Sequence, residues 1–211
     1  MYACRSLEFP DFRGLERLET VGSRWMARCE ALSTVTFEGL GRLQTIDHDW
    51  MSGCTLLNNP VFTGLSQLRS VGSNWMVRCP SLVAPSFRGL GGLRTVCGTG
   101  WMSWCDRLQN PDFRGLVNLE TVGDYWMAEC RDLVGPRFHG LWNLHTVGDR
   151  WMFKCPNLAS PDFNGLASLM NIESLWMYNC PVVGSPDLSG LVAMSARERL
   201  QWTARFVQQT P

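Results

Sequence analysis

The chain has 211 residues, 45% hydrophobic and 18% charged, the balance of a folded chain and not of a disordered one. Lys and Arg total 19 and Asp and Glu total 19, so a formal net charge of zero gives no global pull toward nucleic acid or anionic lipid. The apolar runs are far shorter than the roughly 20 residues of a membrane-spanning helix, and Met1-Tyr2-Ala3-Cys4-Arg5 opens no secretory signal peptide.

One phrase returns through the sequence, in its central copy Val122-Gly123-Asp124-Tyr125-Trp126-Met127-Ala128-Glu129-Cys130. Trp25, Trp50, Trp75, Trp101, Trp126, Trp151 and Trp176 are each followed by Met and, three residues later, by Cys, a period of 25 broken by one inserted residue. A fixed period of this length predicts stacked coils, none able to bury its apolar side alone. Residues 1–194 therefore read as one solenoid, with coils starting at 4, 29, 54, 79, 105, 130, 155 and 180, and residues 195–211 as a C-terminal capping helix and tail. A first coil with no polar cap leaves room for further repeats on its N-terminal side.

Each coil opens at its cysteine. Cys4, Cys29, Cys54, Cys79, Cys105, Cys130, Cys155 and Cys180 share one slot, which reads as a small buried core residue. Parallel side chains about 5 Å apart do not converge as a disulfide requires. All eight are expected to be free and buried; free thiols and the missing signal peptide favour a cytoplasmic setting, with a surface setting if the coils belong to a longer array. Next comes Leu-x-x-Pro-x-Phe, whose Pro predicts an irregular wall, strand-like only at Ser33-Thr34-Val35-Thr36-Phe37 of the second coil. Leu-x-Thr-Val follows as the strand, one per coil from Leu18–Val21 to Leu169–Ile172, and stacking makes these a parallel sheet. A Gly ends most strands, the Ser or Asp after it reads as a helix N-cap, and Trp-Met-x-x-Cys reads as one helical turn. The expected class is an α/β repeat: a parallel-sheet solenoid with short helical turns. In the fourth coil, Val96-Cys97-Gly98-Thr99-Gly100 carries the insertion and predicts a bulge. After Met194 the repeat stops, and Ser195-Ala196-Arg197-Glu198 is a capping box opening a helix to about 209, with Leu200, Ala204 and Val207 on one stripe and Trp202 and Phe206 flanking it.

Val-Gly-Asp-x-Trp-Met-x-x-Cys-x-x-Leu-x-x-Pro resembles the BspA-like leucine-rich repeat unit Ile-Gly-x-x-Ala-Phe-x-x-Cys-x-x-Leu, and Pro-x-Phe-x-Gly-Leu-x-x-Leu resembles the second half of typical leucine-rich repeats. The two likenesses cover residues 4 to 194, with Trp-Met in place of Ala-Phe and a unit two residues longer. The resemblance implies a leucine-rich repeat solenoid from a family of binding proteins, often at microbial surfaces, without chemistry in the repeat.

The residues themselves carry no catalytic constellation. His48, His139 and His145 lack zinc-ligand spacing, Cys97 has no evident base, and neither a metal nor a cofactor is implied. The candidate site is what varies between coils. Glu19, Gln44, Arg69, Arg94, Glu120 and His145, followed by Met170, are expected to point out of the sheet, a polar face suited to a protein or peptide and not to nucleic acid. Trp104 and Trp142 replace polar or small residues at their slots and are expected to be exposed contacts. A structural or adhesive spacer is the alternative, and the ladder Thr20, Thr45, Ser70, Thr95, Thr121, Thr146 and Asn171 raises a lattice (ice-type) binder as a third reading.

Overall fold

A computed structural model describes residues 1–172, 174–181 and 186–200. Seven strands, β1 (Thr20–Val21), β3 (Thr45–Ile46), β5 (Ser70–Val71), β6 (Thr95–Thr99), β7 (Thr121–Asp124), β8 (Thr146–Val147) and β9 (Asn171–Ile172), form one parallel sheet in that order. Register follows the repeat, Thr20 opposite Thr45 opposite Ser70 opposite Thr95. This is the parallel-sheet solenoid that the period predicts. The wall is more ordered than its prolines suggest: β2 (Thr34–Thr36) pairs with β4 (Asn59–Val61) although Pro60 sits in the latter. Single bridges continue the line through Val61–Ser86 and Ser86–Asp112 and again at Arg137–Asp162. Pro60 is tolerated because neighbouring amides carry the bonds, as when Asn58 and Asn59 both donate to the Ser33 carbonyl.

The three-residue apolar spacing has a backbone cause. Leu40 N–H bonds the Phe37 carbonyl and Leu43 N–H bonds the Leu40 carbonyl, and the same pair of turns recurs in the other coils. Each turn returns the next apolar side chain to the interior. Gly39 (φ 95°) lies in this corner, where a Cβ would come within 2.5 Å of the Phe12 carbonyl of the coil before.

Trp-Met-x-x-Cys is not helical. At the end of the first coil Arg24, Met26 and Arg28 have φ of 64°, 55° and 55°, alternating with ordinary residues, and this left-handed alternation repeats in the following coils. Consequently Arg24 N–H reaches forward to His48 O (2.7 Å), Met26 N–H back to Met1 O (2.6 Å) and Arg28 N–H forward to Ser52 O (2.7 Å). An α-helical turn would direct these donors along its own chain and leave the coils untied. Each non-glycine left-handed residue costs roughly 1–2 kcal/mol, and the intercoil ladder offsets that strain. The Ser and Asp slots likewise bridge coils and cap no helix: Asp124 Oδ1 accepts from Asp149 N–H (2.9 Å) and Asp149 Oδ1 from Ser174 N–H (2.8 Å).

Two aromatic columns fill the interior. The Trp rings stack with centroids 5.1 to 5.9 Å apart, the Phe rings from Phe12 to Phe163 at 5.6 to 5.8 Å. Between columns the rings meet mostly edge to face, as Trp75 and Phe87 do at 70°. The indole N–H of Trp50, Trp75, Trp101, Trp126 and Trp151 is buried without a hydrogen-bond acceptor. An orphaned donor costs about 1–3 kcal/mol; each buried Trp makes several ring contacts at roughly 0.5–1.5 kcal/mol apiece, so the column remains favourable.

The ladder cysteines are free throughout, with one correction: Cys4 is exposed, while the other seven ladder members line the same interior and are buried. The expected bulge is present, the register between β6 and β7 shifting between Val96 and Thr99. At the C-terminal end Ser195 and Glu198 form the capping box, Ser195 Oγ donating to Glu198 Oε2 at 2.6 Å and Glu198 N–H to Ser195 Oγ at 3.2 Å. The helix they open is described over 196–200. Leu200 is 70% exposed and does not seat on the last coil as the stripe implied. Arg199 faces that coil instead, donating to the carbonyls of Leu191 (2.9 Å) and Met194 (2.7 Å). Trp202, Ala204, Phe206 and Val207 lie outside the described residues.

Candidate functional site

The predicted outward row stands where the strand backbone puts it, one residue before each strand. Gln44 N–H bonds Glu19 O, Arg69 bonds Gln44, Arg94 bonds Arg69, Glu120 bonds Arg94 and His145 bonds Glu120, so the row is one continuous ladder. Glu19, Arg69, Arg94 and Met170 are exposed, and Gln44, Glu120 and His145 half-buried. Arg94 is ion-paired with Glu120 across one coil step. His145 Nδ1 lies 3.1 Å from Thr146 Oγ1. The Thr ladder runs in register alongside, three of its members exposed and four half-buried, with this mixed-charge row at its edge.

Trp142 joins that surface. Its slot, at the corner between wall and sheet, holds Val117, Trp142, Ala167 and Val192 in successive coils, 42%, 50% and 68% exposed for Val117, Trp142 and Val192. Asn143 donates from Nδ2 to the Val117 carbonyl at 2.8 Å and Asn118 to that of Gly91 at 2.7 Å, which fixes the corner loops beside the row. With Met170 at 56% exposure, the C-terminal half of the sheet side carries an exposed apolar ridge next to Glu120 and His145. The sequence signal for the ridge was present in the slot alignment, but only Trp142 stood out by size.

Trp104 belongs to a different edge, the left-handed turn segment. It stacks on Tyr125 (6.5 Å, 17°), Tyr125 meets Phe153 (6.3 Å) and Phe153 stacks on Tyr178 (5.7 Å). Sequence reasoning missed the last three, because with a helical turn in mind their slots do not form a line.

On the wall, a cavity of about 540 Å³ lies against Asn110, Asp112, Phe113, Arg114, Arg137 and His139, where a 3₁₀ turn (Phe113–Gly115) interrupts the coil. Two of its charges are mutually engaged: Arg114 Nε bonds Asp112 Oδ1 at 2.8 Å, and this bond holds the Asp112 carboxyl below its usual range. Among the described residues no cluster of His, Cys, Asp and Glu could hold a metal ion. Burial pushes the Cys54 and Cys105 thiols up to about 12, and those of Cys79 and Cys130 well above the ordinary value, far from the range of a reactive thiolate. No helix of the described residues is long and apolar enough to cross a membrane.

A scan against protein-family models found no match, and a search of curated proteins found none either. Among solved structures the chain is similar to a leucine-rich repeat protein from Bacteroides ovatus, at 16% sequence identity over 92% of this chain and 68% of that one, with a TM-score of 0.34. The solenoid is established by the strand register and the recurring intercoil bonds, independently of that likeness.

Proposed function

We propose that the chain is a non-enzymatic module that binds a protein or peptide through the C-terminal half of its sheet side. The observation that supports this reading is the exposed ridge of Val117, Trp142, Ala167, Val192 and Met170 set beside the polar row of Arg94, Glu120 and His145. A large aromatic ringed by smaller apolar and hydrogen-bonding groups has the composition of a contact hot spot, and the rigid core beneath it leaves little ordering entropy to lose on binding. Burial that raises the thiols of Cys54, Cys79, Cys105 and Cys130 is in keeping with a role without chemistry.

The test is partner capture by the parent chain and by three variants: Trp142→Ala, the triple change Arg69→Ala, Arg94→Ala and His145→Ala, and Arg88→Ala on the wall as control. Trp142→Ala is expected to weaken capture by at least tenfold, about 1.4 kcal/mol or more, and the triple change to weaken it further, with Arg88→Ala unchanged. If none of the variants loses a partner, the coils serve as a spacer, for which their stiff aromatic columns are equally suited.

A further inference from the structure

The residue before each ladder cysteine stands out from the turn edge, and from the second ladder cysteine onward the row reads Arg28, Gly53, Arg78, Trp104, Glu129, Lys154 and Asn179. Every backbone donor at the start of this row is already used: Arg28, Gly53, Arg78 and Trp104 donate to Ser52, Val77, Ser103 and Ala128. Recognition here therefore falls to side chains. Gly53 has none, and the gap it leaves between Arg28 and Arg78 is a cavity of about 350 Å³, bordered also by Asp49, Asn74, Val77 and Trp104.

The charges around this notch are unbalanced. Among the described residues Arg28 and Arg78 form no ion pair with a carboxylate. The guanidinium of Arg78 lies over the Trp104 ring at 5.4 Å, held in place by the indole face. Asp49, the one carboxylate at the rim, accepts from Asn74 Nδ2 at 2.9 Å and faces Arg24 at 4.0 Å. Beyond Trp104 the aromatic run through Tyr125, Phe153 and Tyr178 is flanked by two more cations, Arg150 over Tyr125 at 5.1 Å and Lys154 beside Phe153 at 5.1 Å. Neither forms an ion pair among the described residues.

We propose that this turn edge is a docking strip for an extended peptide with an acidic residue toward each end and apolar residues between. One carboxylate sits in the notch between Arg28 and Arg78, the central side chains lie over Trp104, Tyr125 and Phe153, and the second carboxylate meets Arg150 and Lys154. From the coil of Arg28 to that of Lys154 is five coil steps, about 24 Å at about 4.8 Å each, which about seven extended residues span at about 3.3 Å per residue. The guanidinium fork suits a carboxylate bidentately. Carboxylates of Asp124, Glu129 and Asp149 stand along the same strip, so a uniformly charged polyanion is disfavoured where a peptide with separated charges is not. The strip lies apart from the sheet ridge and does not depend on the sheet side's being a binding surface.

The experiment is fluorescence anisotropy at low salt with a labelled peptide bearing two glutamates at each end and alternating proline and leucine between them. Its glutamine counterpart and an eight-nucleotide oligo-dT of matched length serve as comparison probes. Saturable binding of the glutamate peptide, at least tenfold tighter than the glutamine peptide, is expected. The exposed double change Arg28→Gln with Arg78→Gln should remove most of that difference, Trp104→Ala should weaken binding severalfold, and the sheet-side variants Trp142→Ala and Arg69→Ala should leave it unchanged. Absence of saturation with the parent chain, equal binding of the glutamine peptide, an unaffected Arg double variant that keeps the parent's circular dichroism, or tighter binding of oligo-dT would each overturn the proposal.

Discussion

At the scale of single residues, the ladder cysteine does more than fill space. Its Sγ–H lies on the Met carbonyl two coil-edges back: Cys54 on Met26 O (3.1 Å), Cys79 on Met51 O (3.2 Å), Cys105 on Met76 O (3.2 Å), Cys130 on Met102 O (3.1 Å) and Cys155 on Met127 O (3.2 Å). The left-handed Met turns its carbonyl into the core, and a small side chain with a weak donor satisfies it where Ala could not. Cys130→Ala is accordingly expected to cost about 1–2 kcal/mol, more than the loss of one small apolar group from a core that can relax, and chemical denaturation checks it. A thiol-specific reagent should find two of the nine cysteines in the folded chain, Cys4 and Cys97, and the other seven only on unfolding. Because Cys54 and Cys105 are raised from 9.0 to about 12, the stability they contribute is complete below the unfolded thiol pKa and is lost as pH rises toward 12. Each removes about 1.4 kcal/mol per pH unit across that window. Alkaline unfolding is therefore expected to begin above about pH 9, and a melting temperature flat from pH 8 to 11 would contradict the assignment.

At the scale of elements, what the sequence makes legible is spacing. The 25-residue period gives the register of β1 with β3 and β5 directly, since Thr20, Thr45 and Ser70 are equivalent by count. The threefold spacing of Phe37, Leu40 and Leu43 similarly announces consecutive turns once their hydrogen bonds are seen. Trp-Met-x-x-Cys misled because Met is a good helix former, and nothing in its local propensity announces φ of 55° at Met26; the intercoil bonds impose it. Gly53 and Gly100 occupy positions of the same handedness and are the one local hint. Imposed backbone geometry gives a sharp comparison between side chains of nearly equal volume. Met127 (φ 53°) is fully buried, so Met127→Leu should cost less than about 1.5 kcal/mol, whereas Met127→Ile puts a β-branched residue at positive φ and should cost at least about 2 kcal/mol more. Equal melting temperatures for the two variants would mean the left-handed Met is not maintained in solution.

At the scale of the whole molecule, the candidate surfaces were legible only in part. Glu19 through His145 could be placed because they sit next to strands, whose alternation is readable. The aromatic strip could not, because its members occupy three different slots that only the left-handed turns bring to one edge. The same stacking logic governs stability. Interior coils have two neighbours and bury the Trp, Phe, Leu and Cys of the repeat slots completely, while the first coil leaves Leu7, Leu18 and Val21 half-buried. At the other end Arg199 satisfies two carbonyls of the last described coil, so the two ends are unequal. In a one-dimensional array whose energy is the sum of coil and interface contributions, opening starts where an interface is missing. Native-state hydrogen exchange should therefore show a gradient: the amides of Ala3 and Leu18 exchanging fastest, those of Leu43 and Leu68 progressively slower, and those of Leu93 and Leu119 slowest, at the central coils. Each interface crossed should add protection in similar steps, since the Trp and Phe contacts repeat with nearly constant geometry from coil to coil. Uniform protection of all these amides would show that the coils open together as one cooperative unit, and that the aromatic columns couple them more strongly than nearest-neighbour contacts require.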